Sequence, residues 1–298
     1  MGKIGGIDFP ARDHEAARKA VIRNARSLVE TTQRAFPEWT PPPFDPILYA
    51  AVSKIPVYFE DIPTGWDALF VPLPGKEKIV VNRTVGSRGR RRFSLAHEII
   101  HSWFDDPGGK RYHLRAQSRR DYERDEAAQA LEKCCDAGAA ELLMPLPWFR
   151  KEFDRLGMKA ASVPELARVF EVSLEAAALR MVENTGSPCG IGFFELGELP
   201  SDIGRRKGQS GQNKMPAYRV RRLFKSPDFP FLFPVGKSIP EDSVIYRASL
   251  GLIEMNAVEE FRLGSQAAWL NVSAFPLHRE NRIAGPPTVC ATFTKRKS

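Results

Sequence analysis

His97-Glu98-Ile99-Ile100-His101 sets two imidazoles four residues apart, with a carboxylate beside the first. On a helix four residues advance about 400°, so His97 and His101 overlap within about 40° and stack one turn apart. Two imidazoles so arranged can bind one Zn²⁺. Glu98, about 100° round the helix, reaches a water on the metal rather than the metal itself. Zinc acidifies that water, and the glutamate accepts its proton and later passes it to a leaving amine, which is the chemistry of peptide-bond hydrolysis. An exposed helix rich in His and Glu produces the same pattern by chance. Here Leu95, Ala96, Ile99, Ile100, Trp103 and Phe104 surround the histidines. That predicts a buried helix, and a buried His-Glu-His without a metal leaves polar groups in need of partners.

A catalytic zinc takes a third protein ligand and keeps a fourth position open. Glu132 leads the candidates. Asp136 follows it one turn later on the same face, where its carboxylate can accept the second ring N–H of a zinc histidine and fix the tautomer. Asp105, four residues after His101, is the next candidate, ahead of His113, Glu126 and the cysteines Cys134 and Cys135.

The elements that must position these groups follow from periodicity. Helical spacing runs from Asp13 to Phe36, from Ile47 to Val52, from Phe93 through Phe104, and from Glu126 to Leu143, where Pro145 and Pro147 end it. Pro56–Glu60, Ala68–Val71 and Ile79–Asn82 read as strands between Pro and Gly turns. These predict an α+β domain with a small antiparallel sheet, in which residues 79–82 form the edge strand beside the cleft. A substrate chain can add to such an edge as an extended strand next to the zinc. Two short helices, Val163–Phe170 and Ser173–Val182, carry cap candidates at Ser162 and Ser173 and read as a helix-turn-helix. The second helix offers only Arg180 against Glu175 and Glu183, so packing rather than DNA reading is the expected role. Beyond Pro188 the pattern turns β-like in IGFFEL, AYRVRRLF, SVIYRA, AAWLNVSAF and TVCATFT. The resulting division is 1–150, a helix-turn-helix-like segment 151–187, and a mostly β domain 188–298.

Length and composition fit a globular protein. The 298 residues are 43% hydrophobic and 27% charged, enough to build a sizeable core. No run reaches the roughly 18 apolar residues a membrane helix needs, and the first twenty residues lack a secretory h-region. Of the four cysteines, Cys134 and Cys135 are adjacent and Cys189 and Cys290 far apart, which does not make a disulfide framework, so a cytoplasmic setting is expected. The net charge of +8 arises from one segment, 203–226, which holds eight basic and no acidic residues. Arg219, Arg221 and Arg222, with Tyr218 and Phe224 nearby, make it a candidate weak contact for nucleic acid or another anion. The alternation in Tyr218-Arg219-Val220-Arg221 also suits a strand with its arginines in solvent.

Three blocks together resemble the ImmA/IrrE family of metallopeptidases: Ile79-Val80-Val81-Asn82, Arg92-Phe93-Ser94-Leu95-Ala96-His97-Glu98, and Glu132-x-x-Cys135-Asp136-x-x-Ala139-Ala140-Glu141-Leu142-Leu143-Met144-Pro145. The resemblance covers about residues 45–185. It implies a zincin-like, gluzincin-type endopeptidase with His97, His101 and Glu132 on Zn²⁺ and Glu98 as base. It also implies a C-terminal sensor domain, and as substrate a helix-turn-helix transcriptional repressor cleaved in a stress or mobile-element response. Cys135, Asp136 and Gly138 stand where the family usually has Ala, Asn and Phe, and Gly138 is expected to weaken the packing of its helix. Two other classes remain: a DNA-binding regulator with a structural zinc, and a toxin–antitoxin or phage-linked partner-binding protein.

Overall fold

The computed structural model describes residues 7–8, 14–62, 65–72, 76–105, 126–197, 216–230, 233–263, 266–277 and 286–295. The chain forms two compact units, residues 1–150 with 168–173 and residues 151–167 with 174–298.

In the first unit, strand β1 (Ile7–Asp8) precedes helix α1 (His14–Ala35). Helix α2 (Pro46–Val52) starts where Asp45 accepts the Ile47 N–H and Pro46 supplies a preset first turn. Strands β2 (Val57–Glu60), β3 (Ala68–Val71) and β4 (Lys78–Asn82) follow, then helix α3 (Arg88–His101), strand β5 (Phe104–Asp105) and helix α4 (Glu126–Leu143). The short strand β5 pairs in parallel with β1.

The three-stranded sheet has the order β2-β4-β3, with β2 parallel and β3 antiparallel to β4. It is therefore mixed rather than antiparallel, and residues 79–82 lie at its centre rather than its edge. Ile79, Val80, Val81 and Asn82 are all buried, and a run buried on both faces is what a central strand carries. Among the described residues the edge strands are β3 and β2, the latter with Tyr58 and Phe59 about half exposed.

Helix α3 begins at Arg88 rather than Phe93. Ser87 caps it by accepting the Arg90 N–H, and four arginines in the first turns hide the apolar period. Its buried stripe, Leu95, Ala96, Ile99 and Ile100, packs on α4, α2 and the strands β3 and β4. Helix α4 also packs along α1. Gly138 is the point of closest approach: a Cβ there would come within 2.6 Å of Val21 and 2.8 Å of Ile100. The glycine thus tightens the packing that it was expected to weaken.

Helix α4 ends at Leu143, ahead of Pro145 as expected, and a helix with no counterpart in the sequence reading, α5 (Leu146–Leu156), follows with Pro147 in its first turn. Buried Glu141 accepts both the Leu146 N–H at 3.2 Å and the Arg26 Nε–H at 2.8 Å, tying α4 to the start of α5 and to α1. Helices α6 (Ser162–Phe170) and α7 (Leu174–Asn184) form the expected pair. Ser162 is the first residue of α6, and its hydroxyl donates to the Leu156 carbonyl.

The second unit is built on an antiparallel sheet of β6 (Cys189–Gly197), β7 (Ala217–Lys225), β8 (Met255–Leu263), β9 (Gln266–Leu277) and β10 (Thr288–Lys295), in the order β7-β6-β10-β9-β8. Residues of the SVIYRA run, expected to be a strand, form helix α8 (Val244–Gly251). Ser243 caps it, Glu259 of β8 accepts the Val244 N–H and the Ser243 hydroxyl, and Leu252 closes it in the left-handed region at φ 53°. Val244, Ile245 and Ala248 of α8 share one core with Val272, Ala291 and Phe293 of the sheet.

Candidate metal centre

The histidines sit on the last turns of α3, and their donor atoms converge. His97 Nε2 and His101 Nε2 are 3.0 Å apart, and the Glu132 carboxylate of α4 lies 3.1 Å from the first and 3.2 Å from the second. On the other side of the ring, His97 Nδ1 lies 3.0 Å from Asp136 Oδ1. A carboxylate only accepts, so Nδ1 carries the hydrogen and Nε2 turns a lone pair toward His101 and Glu132.

Such a cluster of electron-rich atoms needs a cation at its centre. In the metal-free chain a proton serves. Burial opposes the charge on His97, but the hydrogen bonds to Asp136 and Glu132 outweigh it and raise its pKa to about 10. Burial likewise opposes ionisation of Glu132, yet the two imidazoles hold its carboxyl far below the ordinary range. A metal ion fits the same atoms. Donors on one tetrahedral zinc, with bonds of about 2.0–2.1 Å, stand about 3.3 Å from one another, close to the 3.0–3.2 Å edges seen here.

The Cys135 sulfur also lies within 4.8 Å of both imidazole donor atoms. Glu132 is the better ligand of the two. Its carboxylate touches both imidazole nitrogens at 3.1 and 3.2 Å, whereas burial first, and then Glu132 and Glu98, push the Cys135 thiol well up and make its deprotonation for binding costly. Glu126 lies at the exposed start of α4, lining a surface cavity with His14 and Arg18. The side chain of Asp105 and the whole of His113 are outside the described residues.

Glu98 points from α3 to the sheet, where its Oε2 accepts the Phe70 N–H of β3 at 2.8 Å. No sequence signal marked Phe70, because the contact is made by backbone. Asn82 ends the central strand and fastens the loop before β3: its amide donates to the Trp66 carbonyl at 2.8 Å, and its oxygen accepts from Thr84. Arg92, in the motif but given no role by sequence reasoning, is nearly buried. It donates to the Phe44 carbonyl at 2.6 Å and lies 3.3 Å from Glu171, which also pairs with Arg88.

The basic residues singled out for nucleic acid all have partners within the second unit. Arg219 donates to the Gly197 and Gly236 carbonyls, Arg221 pairs with Glu195 at 2.7 Å, and Arg222 pairs with Glu175 at 3.1 Å. A bulge opposite Phe193 and Phe194 puts both Arg221 and Arg222 in solvent, breaking the strand's alternation. Arg180 of α7 is buried. Arg205, Arg206, Lys207 and Lys214 are outside the described residues.

Residues 50–182 match the family model described as the IrrE N-terminal-like domain of a peptidase family. The chain is 27% identical over 237 residues to the radiation response metalloprotease IrrE of Deinococcus radiodurans, covering 77% of this chain and 68% of that protein. It is 29% identical over 210 residues to the protein of the same name from Deinococcus deserti, covering 68% of each. Among solved structures, a Mycobacterium tuberculosis transcriptional regulator aligns at 15% identity and a TM-score of 0.46, over 95% of this chain and 80% of that one. A likeness that loose carries no argument.

Proposed function

We propose that this chain, whose residues 50–182 match the IrrE N-terminal-like domain, is a zinc-dependent endopeptidase of the gluzincin type and a member of the ImmA/IrrE family of metallopeptidases. Its substrate is a helix-turn-helix transcriptional repressor, whose cleavage relieves repression under stress. The observation that carries the reading is the convergence of His97, His101 and Glu132 on one point.

In this reading His97, His101 and Glu132 hold the ion. Zinc supplies Lewis acidity, acidifying a water and polarising the scissile carbonyl. Asp136 keeps the His97 ring in the tautomer that offers Nε2. Glu98 takes the water's proton and delivers it to the departing amine. The peptide lies extended along the outer edge of β3, the edge strand that Glu98 contacts. A regulatory enzyme of this kind is expected to ignore generic peptides and to act on one repressor.

The test is Glu98→Gln. The amide keeps the size of the carboxylate but cannot take a proton at neutral pH. Zinc content should be unchanged while cleavage of the repressor falls by about 10²–10⁴-fold. Cleavage at the wild-type rate by the variant would remove Glu98 as the base. A wild-type protein that leaves every repressor encoded near its gene intact would remove the substrate assignment.

A further inference from the structure

Strand β3 is antiparallel to β4 with Ala68 opposite Val81 and Phe70 opposite Ile79, and the Asn82 N–H donates to the Asp67 carbonyl. That bond fixes the polarity of the ladder. Asp67, Leu69 and Val71 turn their peptide groups inward to β4, while Ala68 and Phe70 turn theirs outward. The outward amide of Phe70 is the one that meets Glu98 Oε2 at 2.8 Å. The Phe70 side chain is buried, which anchors the amide that it carries.

We infer that the backbone amide of Phe70 positions Glu98 and, by doing so, sets the register in which a peptide can lie along β3. This rests on the endopeptidase reading. A carboxylate accepting a backbone N–H through Oε2 has its rotamer fixed and its other oxygen, Oε1, left to receive the proton. The same bond withdraws Phe70 N–H from any added strand. Pro72, the next residue of that parity, has no N–H to give. Among the described residues of β3, an incoming peptide therefore finds an outward amide at Ala68 and not at Phe70. Phe70 is a positioning residue, and it acts through its main chain.

The test replaces the Phe70 amide by an ester, incorporating the α-hydroxy analogue of phenylalanine into the full-length zinc-loaded protein. The side chain stays, the donor is lost, and the Leu69 carbonyl that faces β4 becomes a weaker ester acceptor. Catalytic turnover on a cleaved repressor should fall about ten- to a hundredfold, the worth of a hydrogen bond to a charged group, with KM and zinc content close to wild type and a melting temperature lowered no more than by the Leu69 ester below. The same ester at Leu69 removes an N–H that faces β4 and weakens the outward Ala68 carbonyl, so it should lower the melting temperature and raise KM while leaving turnover intact. Hydrogen exchange gives a readout that needs no cleavage: the Phe70 amide should be protected in the wild type and exposed by Glu98→Ala. Exchange at Phe70 that ignores Glu98→Ala, or an ester at Phe70 with wild-type turnover, would overturn the inference and leave the endopeptidase standing. A protected Phe70 amide in a protein that cleaves no repressor would overturn the endopeptidase reading and this role with it.

Discussion

Gly138 of α4 lies against Ile100 of α3 so closely that a methyl group on it would come within 2.8 Å of Cγ1 and 2.9 Å of Cδ1. Ile100 is the residue before His101, and Gly138 stands six residues after Glu132 on its helix. The contact therefore sets the separation of the two helices that carry the metal donors. One missing side chain holds His101 and Glu132 within 3.2 Å.

Gly138→Ala should accordingly act at a distance. The added methyl meets Val21 and Ile100, and overpacking of this kind costs about 1–3 kcal/mol. Thermal melting should fall, and zinc should be held more weakly as α3 and α4 part. A variant as stable as the wild type, with the same zinc affinity, would show that helix spacing does not govern the site.

Stability of the metal-free chain should depend on pH in a defined direction. His97 has its pKa raised from 6.5 to about 10, so its contribution is complete below about 6.5 and is lost as pH rises toward 10. The Glu132 carboxyl is held below its ordinary 4.5, so its contribution is present above that value and is lost only on further acidification. The stripped protein should melt higher near pH 6 than near pH 9. Zinc competes with protons for these donors, so the gap between loaded and stripped protein should widen as pH rises. A stripped protein whose melting temperature does not change between those pH values would contradict the cluster as described.

The arginines of β7 should prove structural. Arg221→Gln and Arg222→Gln remove exposed ion pairs and should each cost less than about 1 kcal/mol. Arg219→Gln removes two bonds to main-chain carbonyls and should cost more. None should change zinc content. A gel shift at about 50 mM salt should show no retardation of DNA by the wild type. Retardation that weakens steeply with salt and is lost in the triple variant would make this strand a phosphate-binding surface.

What could be read from the sequence was whatever local spacing determines. The pair His97 and His101 is a consequence of helical period, and so is the placement of Asp136 one turn beyond Glu132. The bounds of α4 and β3 followed from period and turn residues alone. What failed depended on partners distant in the chain. Ile79–Asn82 was placed at an edge because strand order is set by pairing, which a single strand does not encode. The run containing Val244–Ala248 alternates well enough for a strand, and its helical state is imposed by Glu259 capping it from another element. Gly138 looked weak because the helices that fill its missing side chain are remote in sequence. Phe70 was invisible because its contribution is a main-chain N–H that every residue but proline possesses.

The central claim is that one ion is held by His97, His101 and Glu132, and metal analysis of purified protein tests it most directly. The wild type should carry about one zinc per chain, and His101→Ala and Glu132→Ala should each lose it, while Cys135→Ser and Glu98→Gln keep it. Stoichiometric zinc surviving Glu132→Ala but lost from Cys135→Ser would contradict the account and make the sulfur, not the carboxylate, the third ligand.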